Sequence, residues 1–286
     1  MNHLIADNKV STLRAYLNDK LLSCYDSREA GNLVQALFDA FHGWSRSDVV
    51  INAHTRLGES ELLKYHFALK RLLQGEPLQY VLGHAWFLDM KLRVDNSVLI
   101  PRPETEELVR LVAERTSLSN PRILDVGTGS GCIALGLKKI IPNSTVMAID
   151  VSEAALSVAR RNATEQMANV ELVHLDILTD KPAGTFDIIV SNPPYIPLGE
   201  HATMAKRVTD HEPHLALFTA DDDALVFYRR LMELSGELLA QGGRVFCEIH
   251  ENMAEALLQL AVNYTIQDPT IFPDLQGRSR MMSWNI

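Results

Sequence analysis

From residue 121 onward, short runs of strand-forming residues alternate with helix-length amphipathic segments, and this alternation constrains the fold more than any other feature. Strands and helices that alternate at these lengths are typical of a mostly parallel sheet with helices on both faces. The predicted strands are residues 122–126, 145–149, 170–175, 186–190, 243–249, 264–267 and 280–284. The helices between them include residues 152–165 and 224–239. In such sheets, ligands bind beyond the carboxyl ends of the strands, so functional residues are expected there.

The first 100 residues lack this alternation. Apolar residues recur at helical spacing, for example in residues 33–41 and 60–73, and predict a small bundle of helices. The strand formers that follow, including segment 79–83, indicate a β-hairpin. The predicted domains are an N-terminal all-α bundle at residues 1–75, a hairpin linker at residues 76–100 and a sheet domain at residues 101–286.

Composition excludes several classes of protein. The 286 residues include 27 basic and 36 acidic side chains, a formal net charge of −9, which argues against stable binding of nucleic acid through its phosphates. No segment approaches the roughly 18 apolar residues of a membrane span, and the N-terminus lacks the apolar core of a secretory signal. Cys24, Cys132 and Cys247 are far apart and odd in number, as is typical of reduced thiols in a cytoplasmic protein. No histidine or cysteine group has metal-ligand spacing, so no metal is expected.

A glycine-rich turn follows the first predicted strand, which ends at Asp125 and Val126. The turn consists of Gly127, Thr128, Gly129, Ser130 and Gly131. Glycines are needed where the backbone turns tightly and approaches a ligand, because a Cβ atom would clash. The spacing differs from the dinucleotide pattern, whose third glycine would fall at Cys132, and no P-loop lysine follows. The turn alone indicates either a ligand cradle or a plain tight connection.

Acidic residues end the second and third predicted strands. The carboxylate of Asp150 could accept two hydrogen bonds from ribose hydroxyls, or it could cap the next helix, a role that Ser152 could also fill. Asp176 could accept from an adenine amino group or act as a cap, and Ile177 offers an apolar wall for the ring. Three successive strand ends with suitable chemistry favour a ligand site over three unrelated caps.

This arrangement resembles the class I S-adenosylmethionine-dependent methyltransferases over residues 121–286. The resemblance implies a seven-stranded Rossmann-like sheet, with residues 280–284 as an antiparallel last strand. It implies S-adenosylmethionine as the cofactor and S-adenosylhomocysteine as its product. It also implies that Asp125 helps to hold the methionine end of the cofactor, directly or through water.

The fourth predicted strand runs into Asn192, Pro193, Pro194 and Tyr195. The prolines fix φ, remove two backbone donors and hold Asn192 in an extended conformation, which makes a rigid tip. Asn192 Oδ1 and the Pro193 carbonyl could each accept one N–H of an amide or aromatic amine, orient it and raise the electron density on its nitrogen. Tyr195 could stack on the flat face of the same group. The tip therefore indicates methylation of nitrogen, the alternative being a structural proline turn.

Further segments resemble the release-factor glutamine methyltransferase family, also called PrmC or HemK, over nearly the whole chain. They are residues 76–80, 100–106, 212–213 and 274–280, together with the helical N-terminus and the tip at 192–195. The resemblance implies N5-methylation of the glutamine in the Gly-Gly-Gln loop of peptide-chain release factors, with partner docking by the N-terminal helices.

The same resemblance assigns roles to individual residues. It implies that the glycine turn, Asp150 and Asn192 contact the cofactor and that residues 192–195 hold the glutamine. Arg102 and Pro103 would lie near the pocket and contact the substrate, although Arg102 could equally be a solvated charge at a helix start. Many family members carry an aromatic residue where this chain has Ile177, so the packing of adenine at that position is expected to differ.

Two other functions remain open at this point. An adenine-N6 methyltransferase acting on DNA or RNA would use the same tip, but the chain is acidic and has no evident target-recognition domain. A non-catalytic binding module that kept the fold would have little need of Asn192 and Asp150.

Overall fold

The computed structural model describes residues 7–197, 199, 209–219 and 223–286 of the chain. The chain divides into two units, Met1–Gly83 with Lys206–His211, and His84–Ala205 with Glu212–Ile286. The first is the helical unit and the second is the sheet unit.

Five helices make up residues 7–83 of the helical unit. They are Val10–Leu21 (α1), Ser27–His42 (α2), Arg46–Ile51 (α3), Glu59–Leu73 (α4) and Leu78–Leu82 (α5). Asp26 begins α2 by accepting a hydrogen bond from the N–H of Glu29, and Gly43 ends it in the left-handed region at φ 68°. Apolar residues of the helices share one core, in which Phe38 and Tyr65 are fully buried. The predicted helical character of this region is confirmed for its described residues.

One segment of the helical unit differs from its prediction. Residues 79–83 are predicted as a strand, but residues 79–82 belong to the helix α5 and Gly83 ends it in the left-handed region. Leu78, Val81 and Leu82 stand at i, i+3 and i+4 and pack against the helical core, so helical spacing outweighs their strand propensity. The guanidinium of Arg71 donates a 3.0 Å hydrogen bond to the Val81 carbonyl and thereby satisfies the end of this short helix.

The sheet unit begins with the predicted hairpin. Its antiparallel strands are His84–Phe87 (β1) and Met90–Arg93 (β2). The two turn residues, Leu88 and Asp89, have φ values of 47° and 59°, and turns of this left-handed type match the natural twist of a tight hairpin.

Nine strands follow the hairpin in the described residues. They are Arg122–Val126 (β3), Thr145–Asp150 (β4), Val170–His174 (β5), Phe186–Ser191 (β6), Ile196–Pro197 (β7), Phe218–Thr219 (β8), Leu239–Glu248 (β9), Gln267–Pro273 (β10) and Ser279–Asn285 (β11). β7 pairs with β8, and the other seven form one sheet in the order β10-β11-β9-β6-β3-β4-β5. β11 is antiparallel to β9 and β10, whereas β6, β3, β4 and β5 run parallel to their neighbours. The predicted seven-stranded, mostly parallel sheet is confirmed, including its antiparallel last strand.

Helices cover both faces of this sheet. They are Pro103–Arg115 (α6), Cys132–Ile140 (α7), Glu153–Glu165 (α8), His214–Leu217 (α9), Val226–Leu238 (α10) and Ala254–Asn263 (α11). Successive residues of β3 face opposite sides, because Ile123 belongs to the core beneath α6 and α7 while Leu124 belongs to the core beneath α10 and α11. The strands are therefore buried on both sides, as their continuous apolar runs predict.

The order of the strands reverses between β3 and β6. The chain moves outward from β3 through β4 to β5 and then returns to the other side of β3. Val126 and Ser191 pair at the carboxyl ends of β3 and β6, and the Ser191 hydroxyl donates a 2.8 Å hydrogen bond to the Val126 carbonyl. This reversal creates the crevice in which sheets of this type bind ligands.

The sixth predicted strand lies at the wrong position. Residues 264–267 were assigned to it, but Tyr264 ends α11, Thr265 has a φ of 54°, and β10 starts only at Gln267. Pro269 lies inside β10 and has no N–H to donate. It is tolerated because β10 is the edge strand of the sheet and its register shifts between Gln267 and Thr270.

A glycine in β9 tests how closely β9 and β6 approach. A Cβ atom on Gly243 would lie 2.9 Å from the Ala240 carbonyl oxygen and 3.1 Å from those of Asp187 and Phe186. Backbone atoms cannot rotate away as side chains can, so Gly243→Ala is expected to lower the free energy of unfolding by about 1–3 kcal/mol. Urea unfolding of the purified chain measures the change.

Gly236 provides the matched control. It lies inside α10 with nothing within 4 Å of the added Cβ. Gly236→Ala should therefore be neutral or stabilise the chain by up to about 1 kcal/mol. Equal stability of the two alanine variants would contradict the close approach at Gly243.

Candidate functional site

A cavity opens at the carboxyl edge of the sheet, beside the crevice between β3 and β6. Among the predicted site residues, those that line it are Arg102, Gly127, Thr128, Gly129, Ser130, Asp150, Asp176, Ile177, Asn192, Pro193 and Pro194. Four others lie outside the lining, namely Pro103, Asp125, Gly131 and Tyr195. Residues at the ends of four separate strands, β3, β4, β5 and β6, thus meet at one cavity.

The glycine turn between β3 and α7 needs glycine for its backbone conformation. Gly127, Gly129 and Gly131 have φ values of 73°, 55° and 82°, a region that other residues rarely adopt. Open space surrounds the Cβ position at Gly127 and Gly129. At Gly131, by contrast, a Cβ would touch Ala159 and Leu135 at 3.4 Å, so this glycine also allows helix packing.

Asp125 lies beneath the turn rather than in the cavity wall. Its Oδ2 accepts hydrogen bonds from the Thr128 hydroxyl at 2.7 Å and from the Ala134 N–H at 3.1 Å, and so ties the turn to the start of α7. Its Oδ1 is buried and has no partner among the described residues. Complete burial raises the pKa of the Asp125 carboxyl to about 7, because a charged group is poorly solvated there.

Asp150, the last residue of β4, and Asp176, just after β5, differ in their environments. Asp150 Oδ2 accepts from the Gly129 N–H at 2.8 Å, and its Oδ1 accepts from the Ser152 N–H at 2.8 Å. Burial raises the pKa of Asp150 above its ordinary value, opposed by these two hydrogen bonds. Asp176 accepts from the Leu178 N–H at 3.0 Å, and the neighbouring Ile177 side chain is buried in the core while it borders the cavity.

Asn192 stands at the end of β6 and is held from behind by α6. Its Nδ2 donates to Thr105 Oγ1 at 3.1 Å. The Thr105 hydroxyl in turn donates to Glu248 Oε2 at 2.6 Å, and both of these residues are buried. A continuous chain of hydrogen bonds thus links the tip to the carboxyl end of β9.

Tyr195 points toward the same carboxylate. Its hydroxyl donates to Glu248 Oε1 at 3.5 Å, and its ring centroid is 5.8 Å from that of His250. Burial raises the pKa of Tyr195 above its ordinary value, so the phenol is protonated. Burial likewise raises the pKa of Glu248 to about 7.

An ion pair anchors the segment that precedes α6. Arg102 Nη2 donates to Glu212 Oε1 at 2.5 Å, and Glu212 Oε2 accepts from the Ile100 N–H at 3.2 Å. Since the Glu212 side chain is buried, Arg102 is not a freely solvated charge. Pro103 is exposed in the first turn of α6 and does not reach the cavity.

Sequence reasoning assigned no individual role to four residues of the site, although Thr105 and Glu212 lie in the segments 100–106 and 212–213 that carry the family resemblance. Phe227 lines the cavity from α10, and Thr105, Glu212 and Glu248 hold its walls. The sequence could have indicated Glu248, because it is an acid at the carboxyl end of a strand, like Asp150. Phe227 carried no such signal, since an apolar residue of an amphipathic helix is expected in the core.

In the part of the chain that the structure describes, no three His, Cys, Asp or Glu side chains cluster in a way that could hold a metal ion. None of the described helices combines the length and the apolar character that crossing a membrane requires.

Comparisons with known proteins agree on a family. Residues 13–83 match the family model of the PrmC N-terminal domain, and residues 104–215 match that of the methyltransferase small domain. The release factor glutamine methyltransferase of Flavobacterium psychrophilum is 38% identical over 281 residues, 96% of this chain and 99% of that protein. The one of Bacteroides thetaiotaomicron is 37% identical over 278 residues, 96% of this chain and 100% of that protein. A methyltransferase structure from Pyrococcus furiosus is 19% identical with a TM-score of 0.51, over 76% of this chain and 98% of that one, and shows likeness of fold alone.

The burial of Asp125 predicts how stability depends on pH. Its pKa of about 7 in the folded chain exceeds the ordinary 3.8, so between these values the folded state holds more protons than the unfolded state. Stability from this group is therefore present at low pH and is lost as pH rises toward 7. Relative to the wild type, Asp125→Asn should gain about 2–3 kcal/mol of unfolding free energy between pH 5 and pH 8.

Urea unfolding of the ligand-free chain at several pH values measures this gain. Glu171→Gln, which changes an exposed carboxylate on β5, is the control and should follow the wild-type pH dependence. Parallel curves for Asp125→Asn and the wild type would refute a neutral buried Asp125.

Proposed function

The chain belongs to the release factor glutamine methyltransferase family, and we propose that it methylates the side-chain amide nitrogen, N5, of the glutamine in the Gly-Gly-Gln loop of peptide-chain release factors. The methyl donor is S-adenosylmethionine, and the products are N5-methylglutamine and S-adenosylhomocysteine. One observation carries the proposal: Asn192, at the end of β6, borders the same cavity as the glycine turn, with its Nδ2 already bonded to Thr105. Its Oδ1 has no partner among the described residues and can accept a hydrogen bond from the substrate.

The cavity suits S-adenosylmethionine by the chemistry of its lining. The carboxylate of Asp150 has lone pairs for ribose hydroxyls, because each oxygen has two and the Gly129 and Ser152 N–H groups each take one. Asp176 can accept from the adenine amino group, between the apolar side chains of Ile177 and Phe227. Phe227 compensates for the missing aromatic residue at position 177. The cofactor, when bound, supplies a methyl group that its positively charged sulfur has already activated.

Asn192 and Pro193 act on the glutamine amide. An amide nitrogen is a poor nucleophile because its lone pair is delocalised. Asn192 Oδ1 and the Pro193 carbonyl each accept one N–H, which aligns the NH₂ group with the donor carbon and raises the electron density on nitrogen. The methylated nitrogen is strongly acidic and loses its proton readily, so the step needs no strong base.

Neighbouring side chains complete the substrate contacts. Tyr195 borders the glutamine with its ring while its hydroxyl stays on Glu248. Arg102, fixed by Glu212 at the cavity wall, and the exposed Pro103 next to it contact the substrate loop. The helical unit, none of whose described residues lines the cavity, docks the rest of the release factor. The protein works in the cytoplasm without a metal and without stable contact to nucleic acid or membrane.

A transfer assay tests the proposed function. The chain is incubated with S-adenosylmethionine labelled in its methyl group and with a release factor, and then with a release factor whose Gly-Gly-Gln glutamine is changed to alanine. Label is expected only in the unchanged release factor. Label in both proteins would reject the substrate assignment, and label in added DNA or RNA would support adenine-N6 methylation instead.

Replacement of Asn192 tests the chemistry. Asn192→Ala should lower kcat by about 10²–10³, as the loss of a polarising hydrogen bond does in other enzymes. Asn263→Ala, at an exposed position in the last turn of α11, is the control and should leave kcat unchanged. A wild-type rate for Asn192→Ala would eliminate the polarising role of this side chain.

A further inference from the structure

A carboxamide can enter a site in two ways that differ little in shape. Its oxygen accepts hydrogen bonds and its NH₂ group donates them, and a half-turn exchanges the two. The proposed chemistry requires the oxygen of Asn192 to face the substrate NH₂, because two NH₂ groups that face each other repel. The site therefore needs neighbouring groups that hold the Asn192 carboxamide in this orientation.

We propose that Thr105 and Glu248 are positioning residues that hold the Asn192 carboxamide with its oxygen toward the substrate nitrogen. The inference rests on the proposed function, since it concerns how that nitrogen is held. It adds two residues that make no contact with the transferred methyl group.

The direction of each hydrogen bond follows from counting protons. In its ionised form Glu248 only accepts, so its Oε2 then takes the single proton of the Thr105 hydroxyl at 2.6 Å. The Thr105 oxygen then has only lone pairs left for Asn192, and its partner at 3.1 Å must be the NH₂ group. Asn192 Oδ1 is consequently the end that remains for the substrate.

Burial protects the hydrogen bonds of Thr105 and Glu248 from competition by water. Thr105 and Glu248 are each 2% exposed, so water does not compete for their hydrogen bonds. The other carboxylate oxygen of Glu248 faces the Tyr195 hydroxyl, which can donate to it. Every partner of the Glu248 side chain that the structure describes is therefore a donor.

The stability of the fold does not explain why a carboxylate occupies this position. No Lys or Arg nitrogen lies within 4.0 Å of Glu248 among the described residues, and a buried carboxylate without an ion pair is destabilising. A glutamine of the same shape would fill the space at a lower cost. The carboxamide of that glutamine could rotate by a half-turn, however, and present either a donor or an acceptor to Thr105. The orientation of Asn192 would then not be fixed. Only a group that accepts at both ends sets the direction.

The surrounding charges act on Glu248 in both directions. Arg280 on β11 favours its ionised form, whereas burial and Glu104 on α6 oppose it. A positively charged sulfonium near Asn192 would favour the ionised form further, so the orientation is best defined when the donor is bound.

Substitution of Thr105 tests the proposal. Thr105→Ser keeps the hydroxyl and should retain kcat on the release factor within about twofold of wild type. Thr105→Val keeps the shape without the hydroxyl and should lower kcat by about 10-fold, the order expected for one lost hydrogen bond in a charged network. Equal rates for the serine and valine variants would overturn the proposal. If the valine variant does not fold, Thr105→Ala replaces it.

A double-mutant cycle separates positioning from a general structural role. If Thr105 acts through Asn192, Thr105→Val should change kcat less than about twofold once Asn192 is alanine. A further 10-fold loss in that background would show that Thr105 acts elsewhere and would overturn the proposal.

A measurement without the cofactor completes the test. The Asn192 side-chain NH₂ signal, identified by its absence in Asn192→Ala, should exchange with solvent more slowly in the wild type than in Thr105→Val. Exchange as fast as that of the exposed Asn263 NH₂ in the wild type would overturn the proposal. If the wild type methylates no release factor, the proposed function fails, whereas this measurement still decides the orientation.

Discussion

The parallel pairing of β3 with β6 is the contact on which the site depends. Each strand leads into one wall of the cavity, the glycine turn after Val126 and the proline-stiffened tip after Ser191. The hydrogen bond from the Ser191 hydroxyl to the Val126 carbonyl fastens the two walls at the point where they leave the sheet. Since both strands are buried on both faces, neither wall can move without disturbing the core. The cavity is thus built on two strands that are packed in the core of the sheet unit.

Local patterns predicted the parts of the fold that local physics decides. The strand ends at Asp125 and Asp150 and the glycines of the turn follow from periodicity and from backbone sterics, so they were predictable. Segment 79–83 was not, because its strand formers also sit at helical spacing and burial decided between the two. The edge strand β10 was misplaced because Pro269 interrupts the strand pattern, and only the sheet order explains why a proline is tolerated there.

The supporting residues of the site lay beyond prediction for a different reason. Thr105 and Glu248 are 143 positions apart and meet only after α6 has packed beside β9. No local spacing encodes such a contact, although each residue taken alone looks like an ordinary helix or strand residue. The residues that line the cavity mostly follow strand ends, and these can be predicted from the sequence. The residues that support them from behind depend on the tertiary fold.

The edges of the large sheet bear on how the chain behaves at high concentration. An outer strand with a regular row of free N–H and C=O groups invites pairing with a second copy and hence aggregation. On one side, Pro269 and the shifted register of β10 interrupt that row. On the other side, β5 carries the exposed polar side chains of Glu171 and His174. Irregularity at one border and polarity at the other are features that discourage intermolecular strand pairing, so the proline that obscured β10 in the sequence also interrupts the edge of the folded sheet.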